Sequence, residues 1–160
     1  ENCPLRKQVI SGCVHDLNAW WMGGIAPHAG LFGPASEVAS LAGQLLECLH
    51  KNGPVSSEIV RHFWTCPGPG SHRLGWDSPT PLTSSAGPLW PISGVGHLGF
   101  TGCSLWIAPD PQLLVVLLTN RVHPVVEGGA RPGQDGPRTR AFRALRPQLH
   151  TLIWKACFDS

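Results

Sequence analysis

The sequence has no tyrosine, a single methionine and few charges: 12 basic and 10 acidic side chains in 160 residues, or 14%. An ordinary soluble domain carries roughly 25%. A net charge of +2 offers no electrostatic basis for a nucleic-acid partner or an acidic membrane surface. Long apolar runs are also missing. The longest aliphatic stretch, Leu113 to Leu118, has six residues, against the roughly 18 that a membrane span needs, so no membrane span is expected. The chain opens Glu1-Asn2-Cys3-Pro4, with no basic-then-apolar leader segment and no initiating Met, which reads as processing or a fragment. The cysteines Cys3, Cys13, Cys48, Cys66, Cys103 and Cys157 never fall in C-x-x-C spacing, so neither a zinc site nor a redox dithiol is supported. They read as mostly free, buried thiols. No metal or other cofactor is indicated.

Against these absences stand 19 glycines and 16 prolines, a turn-rich composition just short of the disordered range. Leu, Ile, Val and Phe together number 41, enough for a packed core and for one globular domain. Residues 1–33 read as irregular and Gly-rich. A helix follows, with Gly33 as N-cap, Pro34 as first helical residue and Glu37 in the first turn. Val38, Leu41, Ala42, Leu45, Leu46 and Leu49 form its apolar stripe, and Gly53-Pro54 closes it. A second helix is expected over 56–64, with Ile59, Val60, Phe63 and Trp64 as its core face. Residues 66–93 read as a Pro/Gly/Ser-rich loop with one short extended piece at 74–76. Three strands are expected over 96–100, 103–108 and 113–119, joined by tight turns as an antiparallel meander. Residues 124–137 read as an exposed loop, and a last helix is expected from about Pro147, with Leu149, Leu152, Ile153 and Ala156 on one face. The order implies an α+β architecture, an antiparallel sheet flanked by helices.

The usual serine-nucleophile signatures are absent. G-x-S-x-G does not occur. S-x-x-K does not occur either, because Lys7, Lys51 and Lys155 have Pro4, Cys48 and Leu152 three positions earlier. Cys48 to Lys51 is formally C-x-x-K, but Cys48 closes a core helix and reads as packing. Three other segments carry unusual density. Val14-His15-Asp16-Leu17-Asn18-Ala19 precedes the glycine-rich run Gly23 to Phe32. His15 and Asp16 are neighbours whose side chains diverge on an extended chain, so Asp16 and Asn18 read as loop organisers and the trio as candidate cleft lining. Gly94 to Gly102 places glycines on a strand, where a ligand or another chain segment approaches the backbone closely. Thr119-Asn120-Arg121-Val122-His123-Pro124 ends a buried strand in polar residues. Trp20, Trp21, Trp76 and Trp106 read as packing, and the five arginines from Arg131 to Arg146 as a solvated face.

In this order the segments resemble a known family. The chain looks like the C-terminal part of the β-lactamase-related serine hydrolases: class C β-lactamases, penicillin-binding proteins and related esterases. The likeness rests on V-H-D-x-N-A at Val14 to Ala19, G-G-x-A-x-H-A-G-L-F at Gly23 to Phe32, a G-H-T-G-F-T-G-x-S-L-W-I pattern at Gly96 to Ile107, and V-V-L-L-T-N-R-V-H-P at Val115 to Pro124. The resemblance implies ester or amide hydrolysis through an acyl-serine, with the Ser and Lys of S-x-x-K and a Tyr from a second motif moving protons. Only the third motif, K-T-G or H-T-G, maps here, as His97-Leu98-Gly99. It further implies that the backbone N–H of Phe100 is one oxyanion donor, the other coming from the absent Ser. The expectation is a partial domain over 1–160 whose N-terminal half, with nucleophile and base, is absent. No nucleophile or base is expected within this chain. The N-terminal half of the same hydrolase would be the partner, and a small-molecule ester or amide the substrate of the completed protein. A non-catalytic remnant or binding module is the alternative. Leu98 stands where the family has Thr, and Pro27 where relatives commonly have Gly. An incomplete sheet should also leave an unpaired edge and exposed apolar helix faces.

Overall fold

In the computed structural model, described for residues 2–51, 53–81, 83–127 and 135–159, the expected meander forms the centre. Strands β3 (Val95–Leu98), β4 (Ser104–Ala108) and β5 (Leu113–Leu117) pair antiparallel in sequential order, with Val95 opposite Ile107 and Ser104 opposite Leu117. Alternation along each strand sorts the side chains to two faces. Val95, Leu105, Ile107 and Leu114 meet Ala42, Leu46, Leu49, Val60 and Trp64 on one face. Leu98, Trp106, Ala108, Leu113 and Val115 meet Ala86, Trp90, Ile153 and Trp154 on the other. The sheet is therefore enclosed between helices, which is the α+β arrangement the sequence implied.

On the first face lie α2 (Ala35–Glu47) and α3 (Ser57–Thr65). Pro34 itself occupies the N-cap of α2, one residue later than expected, and the helix ends at Glu47 with Cys48 as cap rather than running to Gly53. Ser56 caps α3, its Oγ accepting from the Ile59 N–H at 3.3 Å. Only part of each expected stripe is buried. Ala42, Leu46, Leu49, Val60 and Trp64 are inside, whereas Leu41, Ile59 and Phe63 face solvent. On the second face lies α4 (Pro137–Phe158), which begins ten residues before the expected start. Pro137 is its first residue, where the missing N–H costs nothing, and Pro147 lies inside the helix. An internal proline removes one hydrogen bond and destabilises by about 3 kcal/mol; anchoring of the flanking Arg146 and His150 in the interior offsets it. The docking face is consequently turned from the expected one: Thr139, Arg146 and His150 are buried, while Leu152 and Ala156 are exposed. The loop expected over 124–137 is described only at its two ends; residues 128–134, including Arg131, lie outside the described residues.

The first 33 residues are more regular than expected. A two-stranded hairpin, β1 (Asn2–Cys3) with β2 (Gln8–Val9), precedes the short helix α1 (Leu17–Trp21). Local side-chain bonds build α1: Asp16 Oδ1 accepts from the Ala19 N–H at 2.8 Å, an N-cap hidden inside a motif that also resembled a loop. Pro27 fits its place. Ala26 and Ala29 exchange backbone hydrogen bonds of 2.8 and 3.2 Å, which puts Pro27 second in a four-residue turn, the position proline favours. The expected extended piece at 74–76 is a turn instead, bracketed by the His72–Asp77 bridge. All six cysteines are free thiols, of which Cys3 and Cys48 are buried and Cys13 and Cys157 exposed. Trp106 and Trp76 pack internally, but Trp21 is largely exposed and Trp20 lies against Arg6 instead of the core. No helix among the described residues is long and apolar enough to cross a membrane.

Candidate functional site

The β3–β4 connection is held by hydrogen bonds within it and from distant parts of the chain. The Gly99 N–H donates to the Cys103 carbonyl at 2.7 Å and the Gly102 N–H to the Gly99 carbonyl at 3.0 Å, closing a tight turn. Gly102 has φ +103°, and a Cβ there would collide with the Thr119 hydroxyl, so the position accepts only glycine without strain. Three groups from elsewhere hold the turn from behind. The Arg121 N–H donates to the Thr101 carbonyl at 2.9 Å, the Cys103 thiol bonds the backbone of Thr119, and Arg146 Nη2 donates to the Gly102 carbonyl at 3.0 Å. The polar residues closing β5, whose role was open in the sequence, thus serve as the turn's anchor.

This turn opens onto a cavity of about 500 Å³ lined by Leu98, Gly99 and Phe100, by Thr83 to Ser85, and by Arg121, Arg143, Arg146 and Pro147. Gly99 and Phe100 therefore reach a concave site, and Phe100 is 53% exposed beside it. His97 does not line it. The strand's alternation puts His97 on the same side as Val95, facing the α2–α3 layer, where it is exposed. Leu98, in the position of the family's threonine, points to the α4 side and packs in part against the Trp90–Trp106 cluster.

The other candidates divide. The His15 ring stacks on Phe100 at 4.8 Å, and Arg121 lies over the same ring at 5.0 Å. Phe100 is thus held between an imidazole and a guanidinium. Arg6 fixes this segment by donating to the Val14 and His15 carbonyls at 2.8 and 3.3 Å. Asp16 is turned to its own helix and to His28 Nε2 at 3.0 Å. The Ala19 N–H, and after it the His28 contact, hold its carboxyl below the usual range. Asn18 is exposed on α1 and, like Asp16, is not among the cavity-lining residues. No cluster of three or more metal-ligating side chains occurs among the described residues.

Sequence reasoning missed the arginines. Arg143 and Arg146 belonged to a stretch read as a solvated face, yet Arg146 is only 5% exposed. Burial, followed by the neighbouring charges of Arg121 and Arg143, lowers its proton affinity. The signal available was their i, i+3 spacing, which puts both on one helix face; the expected start at Pro147 excluded them from any helix.

The comparisons with known proteins agree with the motifs. The β-lactamase family model matches residues 6–136. Proteins named "Putative D-alanyl-D-alanine carboxypeptidase" are similar: that of Salmonella enteritidis PT4 is 32% identical over 139 residues, and that of Salmonella agona 31% over 140. In each case the match covers 80% of this chain and 31% of the relative, so the chain spans about a third of their length. No solved structure matches. With residues 6–136 of its 160 matched by one family model, the chain belongs to the β-lactamase family.

Proposed function

We propose that this chain is the C-terminal portion of an acyl-serine hydrolase and presents the strand turn against which a substrate carbonyl is held. The observation that carries the reading is the Gly99–Gly102 turn, pinned from three directions and open to a cavity at Phe100. A rigid backbone N–H at the mouth of a cavity stabilises negative charge developing on a carbonyl oxygen without reorganising during reaction. The Phe100 N–H is assigned that role. The nucleophilic Ser and its Lys and Tyr partners have no counterpart here, since the sequence contains neither S-x-x-K nor tyrosine. The chain alone is therefore inactive, and the N-terminal half of the same hydrolase supplies those groups. His97 faces away from the cavity, so its side chain takes no part in holding the carbonyl there, and the nucleophile supplied by the other half meets that carbonyl on the Phe100 side. The substrate class is a small-molecule ester or amide; the relatives' name points to peptides ending in D-alanyl-D-alanine. No cofactor takes part.

A second reading, a non-catalytic binding module, is favoured by one observation: Leu98 removes the hydroxyl that the motif's threonine would offer and turns its side chain into packing. A fluorophosphonate probe tests both. The purified chain is expected to remain unlabelled, and labelling of any serine in it would refute the assignment. Joined to the S-x-x-K-bearing part of a Salmonella relative, it is expected to be labelled at that serine, with slower labelling in Phe100→Pro, which removes the assigned N–H donor. A folded chimera that binds ester or amide ligand without labelling would establish the binding module instead.

A further inference from the structure

We propose that the cavity beside the Gly99–Gly102 turn binds a doubly charged oxyanion, phosphate or a phosphomonoester, through Arg121, Arg143 and Arg146. These three guanidiniums line one cavity. Arg143 pairs with Asp135 at 2.8 Å. Neither Arg121 nor Arg146 has a carboxylate within ion-pair distance among the described residues; their polar partners are the neutral Thr139 hydroxyl at 3.1 Å and the Gly102 carbonyl at 3.0 Å. Three positive charges against one negative leave two uncompensated, and a buried charge without a counter-ion is costly. Arg146 is the sharper case, because its Nε is buried and has no hydrogen-bond partner. A carboxylate would neutralise one of the two charges. A phosphate-type dianion neutralises both and offers several oxygens to planar guanidinium forks. Thr83, Ser84 and Ser85 also line the cavity. The anion site shares this cavity with the turn assigned to hold a carbonyl. It rests on the three guanidiniums alone, two of which lie beyond the residues matched by the family model, and phosphate binding tests it whether or not the chain is part of a hydrolase.

The test is equilibrium dialysis of the whole chain against radiolabelled inorganic phosphate at constant ionic strength. Direct binding is measured because phosphate raises the stability of most proteins by exclusion from their surfaces. Saturable binding is expected, unaffected by equal concentrations of acetate. Each charge-assisted contact should carry roughly tenfold or more in affinity, so Arg143→Gln and Arg121→Gln should each weaken binding by about that factor. Arg143 is half-exposed, so Arg143→Gln is expected to fold, with its melting transition as the check. Displacement by glycerol phosphate at equal or lower concentration would identify a phosphomonoester as the ligand; resistance to it would identify the free anion. Absence of saturable phosphate binding, equal competition by acetate, or unchanged affinity in a folded Arg143→Gln protein would overturn the site.

Discussion

Gly96→Ala is the sharpest probe of how the sheet is packed. Gly96 sits in β3 opposite Trp106, and the indole ring lies directly across it. A Cβ at Gly96 would stand 2.6 Å from the Leu105 carbonyl oxygen and closer still to the Trp106 ring. Neither neighbour has room to retreat, because Trp106 is almost fully buried among Ala86, Trp90, Ala108 and Val115 and the carbonyl belongs to the central strand. Overpacking of this kind destabilises by about 1–3 kcal/mol. The backbone angle at Gly96 is an ordinary one for alanine, so reduced freedom of the unfolded chain returns about 0.4–1 kcal/mol. The net loss, about 1–2 kcal/mol, lowers the melting temperature by roughly 2–8 °C in a chain of this length. Circular dichroism melts of wild type and variant measure it. Trp106→Leu should relieve the clash, so the double variant should be less destabilised than the sum of the singles by roughly 0.5 kcal/mol or more. A single variant that melts within experimental error of wild type, or strict additivity, would refute the packing argument.

His150 predicts an acid-side loss of stability. Its ring is fully buried, Nδ1 bonding the Ser85 carbonyl at 2.9 Å and Nε2 having no partner; burial, with a smaller push from Arg146, holds its pKa below the ordinary value. The unfolded chain takes up a proton near pH 6.5 and the folded chain resists it, so stability present above about pH 6.5 is lost as pH falls toward the folded-state pKa. His150→Gln should flatten the melting temperature over that interval, and an unchanged slope would reject the assignment. The outer edge of β5 pairs with no strand among the described residues, and Leu41, Ile59 and Phe63 are exposed. The isolated chain should therefore self-associate and bind a hydrophobic dye, and Leu118→Lys at the strand's exit should reduce association; a dye-silent monomer in sedimentation would count against this.

Local pattern determined the elements whose stabilising contacts lie close in sequence. The helices α2 and α3 and the β3–β4–β5 meander could be placed from side-chain periodicity, caps and turn residues, and four ordered motifs sufficed for the family. The glycine at position 96 announced a close approach, but whether a ligand or the chain itself made it depended on Trp106 lying opposite across β4. Similarly, Pro147 looked like a helix start because proline is excluded from helix interiors only by a local preference. Docking of Arg146 and His150 outweighs that preference, and such long-range contacts leave no local trace. Along the chain Gly99 and Phe100 read as the end of a strand, whereas β3 stops at Leu98 and both belong to the turn. Their opening onto an arginine-lined cavity, with His97 turned to the other face, was decided by the packing of α4 against the sheet, which brings residues more than 40 positions apart into one site.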